Sequence, residues 1–282
     1  MQKLSVLLIL TLLLTAHAKA EEIHLTADER VEWHQNEQKM VAVGNAVATK
    51  KDMNIKADKM TAFYESSKKE GEQARSNIRN VLATGHVVMS ASSAKAYGDT
   101  MDYDLIKDIM ILKGTPSAKI VTQDNKTINA ADNITYYPSQ NKAVALGNVT
   151  AQDGENTVYA DKMISYFTKN QQGQSELEKV EIYSDNNEVK IVNKQATVTG
   201  ERGIYLPQIN KVRLYNNVVI NQDGNILKGD YAETDLKTGI SRVLSDKKSG
   251  KRVSGIFIEK EKNTADTKTN STPDDTSGWN LK

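Results

Sequence analysis

The chain has 282 residues, 38% of them hydrophobic and 6% aromatic, with a mean hydropathy of −0.55, so a thick aromatic-packed globular core is not expected. Its 37 basic and 36 acidic residues nearly cancel, which leaves no electrostatic footprint for nucleic acid. There is no cysteine, which excludes a lipidated N-terminal Cys, a disulfide framework and thiolate metal sites.

The first segment, residues 1–20, has the layout of a secretory signal peptide. Met1-Gln2-Lys3 is a short basic start, Leu4 to Leu14 is an apolar run, and Ala16-His17-Ala18 and Ala18-Lys19-Ala20 are small-residue cleavage sites, placing cleavage near Ala18 or Ala20. The run is well short of the ~20 residues that a spanning helix needs.

From Ile23 to about Ile258 apolar and polar residues alternate, β-branched residues are common and turn residues recur, which predicts short β-strands. The strands form a repeat. Gly44 precedes Asp58 by 14 residues, as Gly85 does Asp99, Gly147 does Asp161, Asn187 does Glu201 and Asn216 does Asp230. Gly114 and Asp132 stretch the gap to 18. A second period of about 102 residues relates Gly44 to Gly147, Gly85 to Asn187 and Gly114 to Asn216. Such repetition predicts stacked units that cannot bury their apolar faces alone.

One strand parity is apolar in unit after unit. Val81, Ala83, Val87 and Met89 flank Gly85; Met110, Leu112, Pro116 and Ala118 flank Gly114; Ala143, Ala145, Val149 and Ala151 flank Gly147; Val212, Leu214, Val218 and Ile220 flank Asn216. That parity points inward. It slips at the acid, where the step from Ala57 to Met60 is three residues rather than two. Each small-residue–acid pair is therefore expected at a corner, with the short acid bonding local backbone N–H groups.

The polar stretches Glu65 to Asn77 and Lys169 to Lys179 read as exposed hairpin loops at equivalent places in two halves, 21–140 and 141–258. No Pro/Gly-rich linker separates the halves, so a tandem duplication is expected, the second half continuous with the first. Residues 259–282 lose the alternation and read as a disordered tail.

No nucleotide-binding, hydrolase or zinc motif is present, His24, His34 and His86 are widely spread, and the Asp99, Asp102, Asp104 run lacks the Gly and Glu of a calcium loop. No catalytic residue, metal or cofactor is expected. What remains is the inward face: Val87, Met89, Met101, Met110, Leu112, Val149, Met163, Val189, Ile191, Val218 and Ile220. Methionine adapts to irregular apolar partners, so the face is either a self-filled core or a groove for acyl chains.

Ala42-Val43-Gly44-Asn45-Ala46-Val47 followed by Ile55-Lys56-Ala57-Asp58-Lys59-Met60 resembles the signature of the LptA/OstA family. Ala145 to Val149 and Tyr159 to Met163 repeat it, and Ile23 to Asp28 resembles the family's first strand, so the likeness covers roughly residues 23 to 245. The resemblance implies an all-β, repetitive antiparallel β-jellyroll, an open V-shaped, solenoid-like stack. It also implies a non-enzymatic periplasmic conduit that binds the lipid A part of lipopolysaccharide between two sheets. The implied partners are an LptC-like inner-membrane protein, an LptD-like outer-membrane protein and a head-to-tail homo-oligomer.

Strand addition at exposed edges suits such a stack, with Ile23 and Leu25 on the N-terminal edge and Ile240 and Val243 on the C-terminal one. Asn187 and Asn216 in place of Gly, and Gly203 in place of Met, make the second half a less regular copy. The alternative function is a structural β-repeat protein that assembles end to end without a lipid.

Overall fold

The computed structural model of the protein describes residues 23–258 apart from 51–52, 68–74, 92, 172, 174, 186–187, 236, 239 and 247–249. The expected signal peptide, the expected tail and Asn187 lie outside the described residues. The first strands are β1 (His24–Thr26), β2 (Arg30–His34), β3 (Lys39–Lys50), β4 (Met53–Ser67), β5 (Arg75–Ser90) and β6 (Ala94–Asp104). Next come β7 (Ile109–Lys113), β8 (Ala118–Thr122), β9 (Thr127–Ala130) and β10 (Asn133–Tyr137). A 3-10 turn at Pro138–Gln140 leads to β11 (Lys142–Asp153), β12 (Asn156–Lys169), β13 (Ser175–Tyr183), β14 (Val189–Val192), β15 (Ala196–Gly200) and β16 (Arg202–Leu206). A second, at Pro207–Ile209, leads to β17 (Lys211–Gln222), β18 (Asn225–Asp235), β19 (Ser241–Leu244) and β20 (Ser254–Ile256).

All twenty strands pair antiparallel, and no α-helix occurs among the described residues. The fold is the all-β repetitive jellyroll expected from the sequence. Its long strands belong to two wings at once. In β3, residues 46–50 pair with β1 on one wing, while residues 39–43 pair with β2 on the other. Strands β4, β5, β6, β11, β12, β17 and β18 cross between the wings in the same way. The remaining rungs are split into two short strands: β1/β2, β7/β8, β9/β10, β13/β14, β15/β16 and β19/β20. Wing 1 thus runs from β1 to β20, and wing 2 from β2 to β19.

The corner between the wings explains the 14-residue repeat. On one strand two consecutive residues take positive φ: Gly44 and Asn45, Gly85 and His86, Gly147 and Asn148, Asn216 and Asn217. Opposite each pair sits a single acid of the next rung: Asp58, Asp99, Asp161 and Asp230. Two residues against one is a β-bulge, which bends the strand. Gly and Asn tolerate positive φ, which is why they recur there.

The acids satisfy the corner's free polar groups. Asn45 Nδ2 donates to Asp28 at 2.8 Å, and Asn216 and Asn217 donate to the two oxygens of Glu201 at 2.9 and 2.6 Å. Where a rung is split, the acid accepts from the broken backbone instead. Asp99 accepts Thr115 N–H at 2.7 Å, Asp161 accepts Asp185 N–H at 3.0 Å and Asp230 accepts Asp246 N–H at 2.7 Å.

Two expectations are revised. The polar stretches around residues 65–77 and 169–179 are partly strand: Glu65 pairs with Asn77, and Phe167 with Leu177. These hairpins outrun the core, so their exposed rungs can be polar. Gly114 is not mid-strand, because the rung is split between β7 and β8, and Pro116 is exposed in the gap rather than inward.

The corner is close-packed, and substitutions should expose that. A Cβ on Gly85, at φ +78, would lie 2.2 Å from Asp58 Oδ2, whereas one on Gly154, at φ +58, would meet nothing within 4 Å. Gly154→Ala is expected to cost roughly 1 kcal/mol from the backbone alone, and Gly85→Ala about 2 kcal/mol or more. Equal costs in denaturant unfolding would refute the packed corner.

His86 Nδ1 lies 2.8 Å from Asp58, and that hydrogen bond, with the carboxylate's charge, raises the imidazole pKa above 6.5. With the folded value raised, the stabilisation is complete below the unfolded pKa and disappears as pH rises through the folded value. Asp58→Asn is expected to shift His86 back toward its ordinary value in an NMR titration, with the smaller influence of Asp99 remaining. A wild-type histidine titrating normally would mean the bond is not held in solution.

Candidate functional site

The inward side chains of both wings form one apolar body whose depth varies. Against the corner, small and large residues alternate across the rungs of wing 2: Ala42, Met60, Ala83 and Met101 are all fully buried. Wing 1 contributes Ala46, Ala57, Val87, Ala118, Ala130 and Val149 to the same layer. Gly203 is accommodated by a neighbour, since a Cβ there would lie 2.8 Å from Leu214 Cδ2. The Met-to-Gly change in the second half is thus compensated by Leu214.

One step further from the corner, a second row runs along each wing. On wing 1 it passes Leu25, Ala48, Ile55, Met89, Ala96, Ile120, Ile128, Ala151, Val158, Ile191, Val198, Ile220 and Leu227. On wing 2 it passes Trp33, Met40, Ala62, Val81, Tyr103, Met110, Tyr136, Ala143, Ser165, Val180, Tyr205, Val212, Thr234 and Ser241. Neither row carries a charge. Ala48, Met53 and Ile55 of wing 1 face Val81, Tyr103 and Leu105 across a small, almost wholly apolar cleft of about 40 Å³.

The residues singled out from the sequence fall in two layers. Val87, Met101, Met110, Leu112, Val149, Met163, Val189, Val218 and Ile220 are buried in the body, whereas Met89 and Ile191 pack against it and remain partly exposed. Sequence parity joined these sets because it reports the face of a strand and not how far a side chain is covered: Met110 and Ile220 share the second row with Met89 and Ile191 yet are buried. It also passed over Ile120, Ile128 and Val158, which have the same placement as Met89.

The two ends are open. Leu25 lies in β1, with Ile23 just before it, and Val243 lies in β19, with Ile240 just before it. Among the described residues no strand pairs beyond β1, β2, β19 or β20. Exposed apolar side chains gather there: Val31 and Trp33 at one end, and Ile240, Ile256, Phe257 and Ile258 at the other.

Polar groups at the mouth lie on wing 2. Trp33 Nε1 donates to the Tyr64 hydroxyl. Asp108, in the turn between β6 and β7, accepts the Tyr103 hydroxyl at 3.1 Å and the Ser139 N–H at 2.7 Å. Burial, and then the Asp108 charge, push the Tyr136 phenol above its ordinary pKa and keep it protonated. On the outer surface of wing 2, Glu233 binds Lys211 and Arg213, and Glu181 binds Lys179; these pairs lower both carboxylate pKa values. No group of histidine or acidic side chains among the described residues could hold a metal ion.

The profile of a family described as "LptA/(LptD N-terminal domain) LPS transport protein" matches residues 24–142 and again 130–240. A solved structure of LptH, the LptA-homologous periplasmic component of the lipopolysaccharide transport device of Pseudomonas aeruginosa, is 16% identical with a TM-score of 0.41. The alignment covers 49% of this chain and 97% of that one. No curated protein matches.

Proposed function

The chain belongs to the LptA/LptD N-terminal domain family of lipopolysaccharide-transport proteins, and we propose that the space between its wings sheathes lipid A acyl chains as they cross the periplasm. The observation that carries this reading is the pair of facing rows, uncharged from the β1/β2 end to the β19/β20 end. Each CH₂ removed from water contributes about 0.8 kcal/mol, so chains lying along these rows are strongly held out of water. The sugar part stays outside the mouth. The sheath acts by binding, with no catalytic residue, in the periplasm of a cell whose outer membrane receives lipopolysaccharide. The two halves work as one continuous groove, which the passage of β11 through residues 142–153 supports.

The open edges bridge to other proteins of the same architecture, LptC-like at the inner membrane and LptD-like at the outer, or to a second copy. Among the described residues each wing contains thirteen antiparallel pairings, an odd number, so its first and last strands run in opposite directions. A copy stacked head to tail therefore pairs β19 with β2 and β20 with β1, both antiparallel. Extending the rows beyond Arg242, which is paired with Glu233, places Arg242 opposite Glu32 of the next copy.

Photo-crosslinkers at Met89 and Ile191 are expected to capture lipopolysaccharide, while crosslinkers at the outward Thr150 and Lys119 do not. No capture from the inner positions would favour the alternative, a β-repeat that assembles end to end with a self-filled core. In sedimentation, Arg242→Glu is expected to weaken self-association and Glu32→Arg in the mixed partner to restore it. Association untouched by either change would place the junction elsewhere.

A further inference from the structure

The two walls of the groove differ in one respect that the lipid sheath does not require. The mouth-side row of wing 1 is wholly aliphatic, whereas that of wing 2 is interrupted by hydroxyl-bearing rings, and at one point these rings stand beside a carboxylate. Tyr103 and Tyr136 flank Met110 on adjacent rungs, both on the inward parity. Asp108 lies between them, bonded to the Tyr103 hydroxyl at 3.1 Å. Tyr136 is 36% exposed, and among the described residues its hydroxyl has no hydrogen-bond partner.

The acid breaks the repeat. The hairpin turns at this lip place one residue at positive φ in the same position: Gln38, Asp108, Asn141 and Asn210. Amide side chains meet the backbone need, so a charge at 108 is not demanded by the turn. The counterpart one block later keeps the tyrosine, Tyr205, but has the neutral Asn210.

A carboxylate with two of its roughly four acceptor sites used, a ring 36% exposed and a phenol without a partner among the described residues suit a head group rich in hydroxyl donors. They disfavour a phosphate at the same spot, because two anions would be brought together. Tyrosine also sits well where an apolar body meets water.

We propose that Tyr103, Asp108 and Tyr136 form a sugar-head site at the wing 2 lip, which seats a glycolipid's hydroxyls while its chains enter the cavity beside Tyr103. The site rests on the sheath reading and adds a direction to it: the head leans on wing 2 and the chains on wing 1.

The test uses the full chain with N-phenylnaphthylamine as the groove probe and displaces it with decyl glucoside, decyl phosphate or decylammonium below their micelle concentrations. Wild type is expected to prefer the glucoside to the phosphate by about tenfold, the size of one charge-assisted hydrogen bond. Asp108→Asn, which keeps an acceptor oxygen and tolerates the turn, should narrow that preference. Tyr136→Phe should weaken the glucoside alone. Displacement with an unchanged ranking in both variants overturns the site and leaves the sheath standing. A preference for decylammonium over the glucoside overturns the sugar assignment. Failure of the probe to bind at all, in a folded protein, overturns the sheath and the site with it.

Discussion

A strand that serves two wings must bend without leaving its backbone groups unpaired, because a buried N–H or C=O without a partner costs about as much as a lost hydrogen bond. In this protein the bulge and its acid meet that requirement at rung after rung. Two positive-φ residues supply the extra length on one strand; the carboxylate opposite them accepts from the broken rung beyond, and Asn side chains of the bulge donate to an acid on the preceding rung, Asp28 or Glu201. The step from Ala42 to Ala46 is even, so the strand keeps its inward face through the bend. The step from Ala57 to Met60 on the partner is odd, so that strand resets its parity at the corner. Both wings consequently present apolar residues to each other along the whole molecule.

The bend also sets the composition. Near the corner of wing 2, Ala42 and Ala83 alternate with Met60 and Met101 on successive rungs. Gly98 and Gly229 admit no Cβ without displacing Leu112 or Val243. A thin interior filled this way needs few aromatic rings, which accounts for a stable fold at 6% aromatic content. In the outer row many side chains, among them Met89, Ile120, Ile128 and Val158, remain partly uncovered, while Ile55, Met110 and Ile220 are buried. Fully buried and partly exposed apolar side chains thus share one face of the sheet.

Much of the architecture was legible because it depends on local chemistry. The Gly-to-Asp spacing marks hairpins around a corner, and period-two apolarity marks the inward face. The substitution of Asn for Gly at 216 is readable as another residue that accepts positive φ. Depth was not legible: Val87 and Met89 share a parity and a strand, yet only Val87 lies against the corner. Split rungs were also hidden, since the sequence around Gly114 looks like its continuous counterparts until Thr115 is seen bonding Asp99. Asp108 carried no signal of its own. It stands out only once Gln38, Asn141 and Asn210 are recognised as occupying the same turn position.

The open ends follow from the same geometry. A closed barrel would remove its edges, whereas wings joined at one corner leave two strands exposed at each end. Because each wing ends antiparallel to its start, a like architecture can be added without reversing inside and outside. Wing 1 then continues wing 1, and the hydroxyl-bearing lip stays on one side of the extended groove. An amphiphile moving along it would meet an unchanged orientation of apolar wall and polar lip at each junction. The less regular second half fits this role, because Leu214 restores the interior where Gly203 leaves room. What the stack needs from every unit is a continuous lining and a correctly aimed edge, and neither depends on strict identity of the repeats.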